Sequence, residues 1–527
     1  MNGGQERGAG PSPDEGARRL APAGLRLRPD PGLKFFEGGT VLVGGSPYRL
    51  MRLRPAVSYQ VAAWWNGTPV PRRPAIQALA RRLLEAGMAH PEPEGGPDPD
   101  DVTVVIPVRD RVAELTRCLA AAGGAGGAGS AMGASSAEAS AGPGGAGRPA
   151  GGASCAAGPQ VIVVDDCSAD PGAVAAVAAA AGARYLRRQA NGGPAAARNT
   201  GLAAAATPFV AFLDSDCVPA PGWLTPLLPH FSDPAVAAVA PRIVPHERDR
   251  PEGWLARYEG ICSALDMGPA ESIVRPGARV PYVPAAALVV RKAAAGTGFA
   301  EDMPVGEDVD FVWRLVAAGW QVRYMPNASV GHQHRVRLGE WFTRRKDYGT
   351  SAAPLELRHP GKVPAVAMPG WSAVTWLAVA ARCPGAGAAV VGATTALLAR
   401  RLAPFTDDAW PLAGRLAGAG TITAGRQLGS AITRAWWPAA LPAAVAFPRL
   451  RVPLAAFVIT PQLLDWRERR PPMDPARYVA ARLLADVAYS IGVWQGCVHH
   501  RTARPLLPRL WWHSREAGRD GSRNRSP

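Results

Sequence analysis

The chain has 527 residues, 47% hydrophobic and 19% charged, with a formal charge of +16 and a pI of about 10.2. Its length allows several domains with full cores. Its seven cysteines are odd in number and form no CxxC pair, which argues against a zinc site or a disulfide framework and for reduced thiols in a cytoplasmic protein. No zinc-finger spacing and no basic run interleaved with aromatics occurs, so nucleic acid is not an expected partner. The positive charge points instead to anionic lipid, a phosphorylated substrate, or simply a solvated arginine-rich surface.

Residues 1–22 are Gly, Pro and charge and read as a disordered tail without the apolar core of a secretory signal. A compact module is expected at 23–92. Its short apolar runs, broken by Gly38-Gly39 and Gly44-Gly45, read as hairpins. Two helical patterns follow, the second with Ile76, Leu79, Leu83 and Leu84 on one face. Strands with two or three helices in so short a stretch suggest a small winged-helix-like module. Residues 93–101, rich in Pro, Gly and Asp, are the linker.

An α/β domain is expected from 102 to 360. VTVVIPV (102–108) is a buried strand, and a helix begins at Glu114. Residues 121–158 are Ala, Gly and Ser and read as a flexible insertion. VIVVDD (161–166) is a strand, 171–181 a helix, 183–188 a short strand, 195–206 a helix, and FVAFLDSD (209–216) another strand. This alternation predicts a mostly parallel sheet with right-handed crossovers, whose carboxyl edge binds ligand.

Candidate site residues collect at that edge. Pro107 ends the first strand and delivers Asp110 to it. Asp165 and Asp166 end the second, where a carboxylate can accept hydrogen bonds from a uracil or ribose, or simply cap the next helix. Asn191-Gly192-Gly193 makes a turn into a helix that carries Arg198 near its start. There Arg198 can meet a diphosphate, or lie on the surface. Asp214 and Asp216 flank Ser215 after FVAFL. Two carboxylates so placed call for compensation, and a divalent cation such as Mg or Mn with a diphosphate would supply it. Glu307-Asp308 opens an amphipathic helix. Beside a helix-capping role, Asp308 is the candidate general base, because an acceptor hydroxyl is a poor nucleophile until its proton is removed. His332 and His334 follow a strand, and His332 is either a third metal ligand or a structural histidine. The segment around Arg344, Arg345 and Tyr348 is a candidate acceptor-side or lid element.

Residues 365–512 are apolar and helical in pattern. The stretches 371–402, 435–464 and 478–498 are each interrupted by proline, glycine or charge, so none is a clean span. Tryptophans such as Trp371, Trp376, Trp436, Trp437, Trp466, Trp494, Trp511 and Trp512, with arginines nearby, fit helices lying on the inner face of a membrane; a helical subdomain packed on the core fits equally. Residues 513–527 are a basic tail expected to be disordered.

IPVRD, VVDDCSAD, NGGPAAARNTGL, FLDSD and GEDVDFVWRLVAAGW, in this order, resemble the family 2 glycosyltransferases of GT-A fold. The resemblance implies a nucleotide-diphosphate sugar donor, nucleoside contact by Asp165 and Asp166, metal and diphosphate binding by Asp214 and Asp216, and Asp308 as the base of an inverting transfer. The insertion departs from the family. So does the lack of the Gln-x-x-Arg-Trp segment of processive synthases, which argues against a polysaccharide channel. FEGGTVLVGGSPYRLMRL, LARRLLEAGMAHP and YGTSAAPLELRHPG resemble the mycofactocin-system glycosyltransferases. That likeness implies UDP-glucose as donor and a peptide-derived redox-cofactor precursor as acceptor. The N-terminal module is also similar to small winged-helix domains that bind precursor peptides, an interaction that strand addition would provide. The competing expectations are a membrane-surface transferase acting on a lipid-linked or cell-wall glycan, and a non-catalytic protein that binds a nucleotide sugar or a peptide.

Overall fold

Among the described residues the first strand is β1 (Arg26–Pro29), followed by the antiparallel meander of β2 (Lys34–Phe36), β3 (Val41–Gly44) and β4 (Arg49–Arg52). The computed structural model describes residues 18–123, 158–246, 253–333 and 337–512. Gly38 and Gly39, at φ 60° and 90°, make the first turn of the meander, a backbone region that costs glycine nothing. Helices α1 (Pro55–Trp65) and α2 (Pro74–Glu85) each start on a proline, which lacks only an N–H that the first turn leaves unpaired anyway. β5 (Ala89–Glu92) returns to pair with β1. Trp64, Leu83 and Leu84 form the small core that these elements enclose. The expected disordered tail, 1–22, needs correction at its end: Ala21 is buried in this core and the Leu20 carbonyl accepts a 2.7 Å hydrogen bond from Arg81. The tail's remaining residues up to 17, most of the 121–158 insertion and the 513–527 tail lie outside the described residues.

Buried ion pairs lock this module to the rest of the chain. The Arg81 guanidinium donates to both Asp233 oxygens at 2.8 Å. Asp30 meets His90 at 2.9 Å and Arg279 at 3.3 Å, and Glu271 meets Arg323 at 3.0 Å, His90 at 3.3 Å and Arg28. Charges out of water are tolerable only when paired this completely.

The α/β core follows in chain order: β6 (Val102–Val108), α3 (Val112–Gly123), β7 (Gln160–Asp165), α4 (Pro171–Ala180), β8 (Arg184–Arg187), α5 (Gly193–Ala204), β9 (Phe209–Leu213), β10 (Cys217–Pro219), β11 (Val236–Pro245), α6 (Trp254–Cys262), β12 (Ser272–Ile273), β13 (Ala287–Arg291), α7 (Glu307–Ala317) and β14 (Gln321–His332). The strands form one nine-stranded sheet in the order β10-β14-β11-β13-β9-β6-β7-β8, with β12 also on β14. β8, β7, β6 and β9 run parallel, as the strand–helix alternation requires. Antiparallel β13 joins them to the parallel pair β11 and β14. β6 and β9 are buried along their whole length, so their sequences are continuous apolar runs rather than alternating ones. One boundary differs from expectation. β9 stops at Leu213, and a turn closed by the Cys217 N–H on the Asp214 carbonyl, 2.9 Å, carries both aspartates beyond the strand.

After the sheet come α8 (Leu338–Thr350), α9 (Ala352–Arg358), β15 (Val366–Pro369), α10 (Gly370–Ala380), α11 (Pro384–Leu402), α12 (Ala409–Ala431), a π-turn at Ile432–Trp436, α13 (Trp437–Ala446), α14 (Arg451–Arg469), α15 (Pro475–His499) and β16 (Pro508–Trp511). Among the described residues no helix is long and apolar enough to cross a membrane. These helices reach both other parts of the chain: Leu402 and Leu412 pack on Val41 and Val43 of β3, and Tyr478 of α15 packs with Tyr258 and Trp341. α15 lies so close to α8 that a β-carbon at Gly492 would collide with the Lys346 carbonyl and one at Gly349 with that of Tyr489.

Candidate active site

The candidate residues gather where β6, β7 and β9 end, faced by the start of α7. Asp110 follows β6 in a left-handed conformation, φ 55°. Its N–H donates to Ser168 at 2.9 Å and its carboxylate accepts from the Ala169 N–H at 2.6 Å, tying the first strand end to the loop after the second. Pro107 is buried beneath it, while Asp110 itself is exposed.

Asp165 and Asp166, expected as nucleoside contacts, have protein partners on both oxygens. Asp165 is fully buried and accepts from the Ser168 N–H at 2.8 Å and the Tyr185 hydroxyl at 2.7 Å. Asp166 accepts from the N–H groups of Gly192 and Gly193 at 3.0 and 2.7 Å and pairs with Arg188 at 3.0 Å. In this structure they brace the edge, and Asp166 in particular holds the turn that launches α5. Arg198 is likewise tied to protein groups in this structure. It is 3% exposed, and its two terminal nitrogens donate to Glu307 at 2.8 Å and to Asp214 at 2.7 Å, so it links two strand and helix ends instead of projecting outward.

Asp216 turns the other way. Arg111 donates to it in a close contact, and His332 Nε2 lies 3.6 Å from its Oδ1. The register explains the histidine: Cys217 of β10 sits directly opposite His332 of β14. Burial would raise the pKa of Asp216, but His332 and Arg111 outweigh it and hold the carboxyl below its ordinary range. His334 lies outside the described residues. Among the described residues no three His, Cys, Asp or Glu side chains stand in ready coordination geometry. The donor chemistry nonetheless fits a hard divalent cation: Asp216 and His332 are adjacent, Asp216 is kept anionic, and Asp214 lies at the other end of the same short turn.

Asp308 is partly buried in the first turn of α7. Its oxygens accept from the Val309 N–H at 2.8 Å and from the Ala285 N–H at 3.3 Å. Its pKa is raised to about 6, by burial first and then by the neighbouring Glu307 charge, with Arg198 opposing. The helix itself is held by Gly306, at φ 84°, where a β-carbon would press on Ser351 at 2.8 Å. The third acid of the motif, Asp310, is structural: it is 1% exposed and bonded to Arg314 at 2.8 Å and His359 at 2.9 Å.

Aromatic groups lie within electrostatic reach of Asp308. The Tyr282 phenol has its pKa pushed up by burial first, then by Asp308, Tyr489 and Tyr348. Arg344 lies 4.8 Å over the Tyr348 ring; burial works against its charge, but Tyr348, Asp214 and Glu307 together outweigh it. Arg345, expected beside it, points away and pairs with Glu259. Sequence reasoning missed Arg111 as partner of Asp216, Glu307 as partner of Arg198, and Tyr282 and Tyr489. Only the acid pair Glu307-Asp308 gave any local signal.

Residues 156–294 match the sequence model of glycosyl transferase family 2. Pre-mycofactocin glycosyltransferases from two strains of Mycobacterium tuberculosis are 38% identical over 507 residues, covering 94% of this chain and 99% of theirs. An O-antigen chain rhamnosyltransferase of Salmonella typhimurium is 29% identical over 125 residues, 23% of this chain and 40% of that protein. Among solved structures, a mannosyltransferase from Pyrobaculum calidifontis in complex with GDP-Man and Mn2+ aligns with a TM-score of 0.40 and 18% identity, over 79% of this chain and 93% of that one.

Proposed function

Because the chain belongs to glycosyl transferase family 2, among the pre-mycofactocin glycosyltransferases, we propose that it transfers glucose from UDP-glucose, with inversion, to a peptide-derived redox-cofactor precursor. The observation that carries the catalytic reading is Asp308: a carboxylate with a pKa raised to about 6, at a helix start beside Glu307 and the Arg198–Asp214 pair. Near neutral pH it is ionised yet basic enough to take a hydroxyl proton. The acceptor oxygen then bonds to the anomeric carbon from the face opposite the diphosphate. The bond to UDP breaks, and the configuration inverts.

A divalent cation, Mg or Mn, held by Asp214, Asp216 and His332, would neutralise charge on the departing diphosphate. Arg198 acts as a positioning residue that fixes Asp214 and Glu307 relative to each other. The uridine lies along the edge formed by Pro107, Asp110 and the loop after Asp165-Asp166, with Asp110 the exposed carboxylate there. Tyr282, Tyr348 and Arg344 line the acceptor side. The acceptor's peptide portion is assigned to the module at 23–92, whose β2 is an edge strand with Phe35 46% exposed, open to pairing with an extended segment.

The test is purified enzyme with labelled UDP-glucose and the precursor-derived acceptor. Label is expected on that acceptor, in the β configuration. Label on a lipid-linked glycan and none on the peptide-derived acceptor would overturn the acceptor assignment.

A further inference from the structure

We propose that the helical hairpin from Trp437 to Leu464 docks in the plane of an anionic lipid bilayer. A surface helix of a protein that meets only water turns its charged residues outward. α14 keeps its charged residues at its two ends and leaves the outward side between them apolar. Its inward side, through Phe457, Pro461 and Gln462, packs on α12, where a β-carbon at Gly429 would strike the Phe457 carbonyl. Its outward side carries Val452, Ala455, Ala456, Ile459, Thr460 and Leu463, all exposed and without a single charge from Val452 to Leu464. α13 continues the pattern: none of its residues is buried, and Leu441, Val445 and then Phe447 at the turn are 60%, 69% and 61% exposed. An open groove lined by Trp437, Trp494 and Val498 flanks the base of the hairpin, and tryptophan is a residue that favours the water–lipid boundary. So much contiguous apolar surface calls for an occupant.

Charge selects the occupant. From Val363 to Leu464 the chain holds eight arginines against two aspartates and no glutamate or lysine. The only charges on the hairpin itself are Arg449 and Arg451, at its turn. Such a surface complements lipid phosphates, and no acidic residue on it would meet a basic protein partner. Length and charge also fix the mode of docking. α13 is 10 residues long, about 15 Å, half of the ~30 Å hydrocarbon layer. Inserted tip first, it would carry both arginines to mid-bilayer at a cost of about 3 kcal/mol each. Lying flat, it places the apolar stripe at the acyl boundary and the guanidinium groups among the phosphates. This inference is independent of the sugar and acceptor assigned above.

The full chain is tested by flotation on vesicles of phosphatidylcholine alone and of phosphatidylcholine with phosphatidylglycerol. It is expected to float with the anionic vesicles and less with the neutral ones. The double substitution Val452→Asp, Ile459→Asp is expected to lower partition by about tenfold or more, and Arg449→Ala by about fivefold on anionic vesicles only. Both variants should keep transfer to a water-soluble acceptor, which shows them folded. Failure of the native chain to float, or equal flotation of the aspartate variant, would overturn the proposal. So would sedimentation showing that the native chain self-associates and the aspartate variant does not, because the stripe would then be covered by a second copy.

Discussion

Two buried charge clusters in this molecule look alike and behave in opposite ways. At the junction of the N-terminal module with the sheet, Asp30, Asp233 and Glu271 each meet an arginine, and His90 adds to two of them. At the catalytic edge, Asp214, Glu307 and Asp308 gather round the enclosed guanidinium of Arg198, and only Asp214 and Glu307 draw further on Arg344. The consequence appears in the acids. Burial raises the pKa of Glu271, but His90 and Arg323 overcome it and bring it down to about 2, whereas Asp308 rises to about 6. A buried carboxylate with its own cation is a fastener. One left short of a cation is poised to take a proton, and such shortages concentrate at functional sites.

Substitution can break that contrast. Removing the poised group should have the largest effect. Asp308→Asn is expected to lower turnover by about 10²–10⁴-fold while leaving UDP affinity nearly unchanged, as read by single-turnover kinetics and titration calorimetry. Normal turnover would remove Asp308 from the base role. Breaking the fastener should act on stability. Arg81→Ala leaves Asp233 buried without its partner, an expected loss of about 3–5 kcal/mol in chemical denaturation, with turnover per folded molecule unchanged. If turnover falls instead, the junction and the site are one unit. Asp216→Ala should weaken UDP binding in the presence of Mg or Mn and leave metal-free binding as it was.

The pH dependences sharpen the same contrast. The acid limb of kcat/KM should fall tenfold per pH unit below about 6, the region where Asp308 becomes protonated. The stability terms have opposite signs. Glu271 has its pKa lowered in the fold, so its contribution is present above its ordinary pKa near 4.5 and is lost as pH falls towards 2. Asp308 has its pKa raised, so the fold loses stability as pH rises from the ordinary value near 3.8 to about 6 and carries the full burden above that. The smallest effect follows from this: Asp308→Asn should make the inactive protein more stable above pH 6, by about 1–2 kcal/mol, and no more stable near pH 4. A variant destabilised at neutral pH would contradict the shortage of positive charge.

Much of the catalytic edge was legible in the sequence because it depends on local pattern. Apolar runs such as VTVVIPV and FVAFL end in acids or turns, and a buried parallel strand must end at the edge where its next residues become exposed. The helix opened by Glu307-Asp308 was visible from its period and its first-turn acids. The partners of those acids were not visible. Arg111 reaches Asp216 across 105 positions and Arg198 reaches Glu307 across 109, and nothing in local spacing distinguishes an arginine that points to a phosphate from one that points to a carboxylate. The junction cluster was hidden for the same reason, since its members come from both ends of the described core. The apolar C-terminal part was legible as helical. Prolines at 442 and 461 nonetheless lie inside helices there, which pattern alone reads as breaks.

The contact between α8 and α15 bears on how such proteins can diversify. Gly349, Gly492 and Gly496 bring backbone against backbone, and each lacks room for a β-carbon. A C-terminal segment joined this way cannot be exchanged between relatives as an independent cassette, because a foreign helix would have to bring small residues to matching positions on both sides of the seam. Tyr489, on the exchanged helix, is also part of the surroundings of Tyr282 beside Asp308. Recombination at this boundary would therefore disturb the fold and the surroundings of Tyr282 in a single step, which leaves point substitution as the open route to change in either.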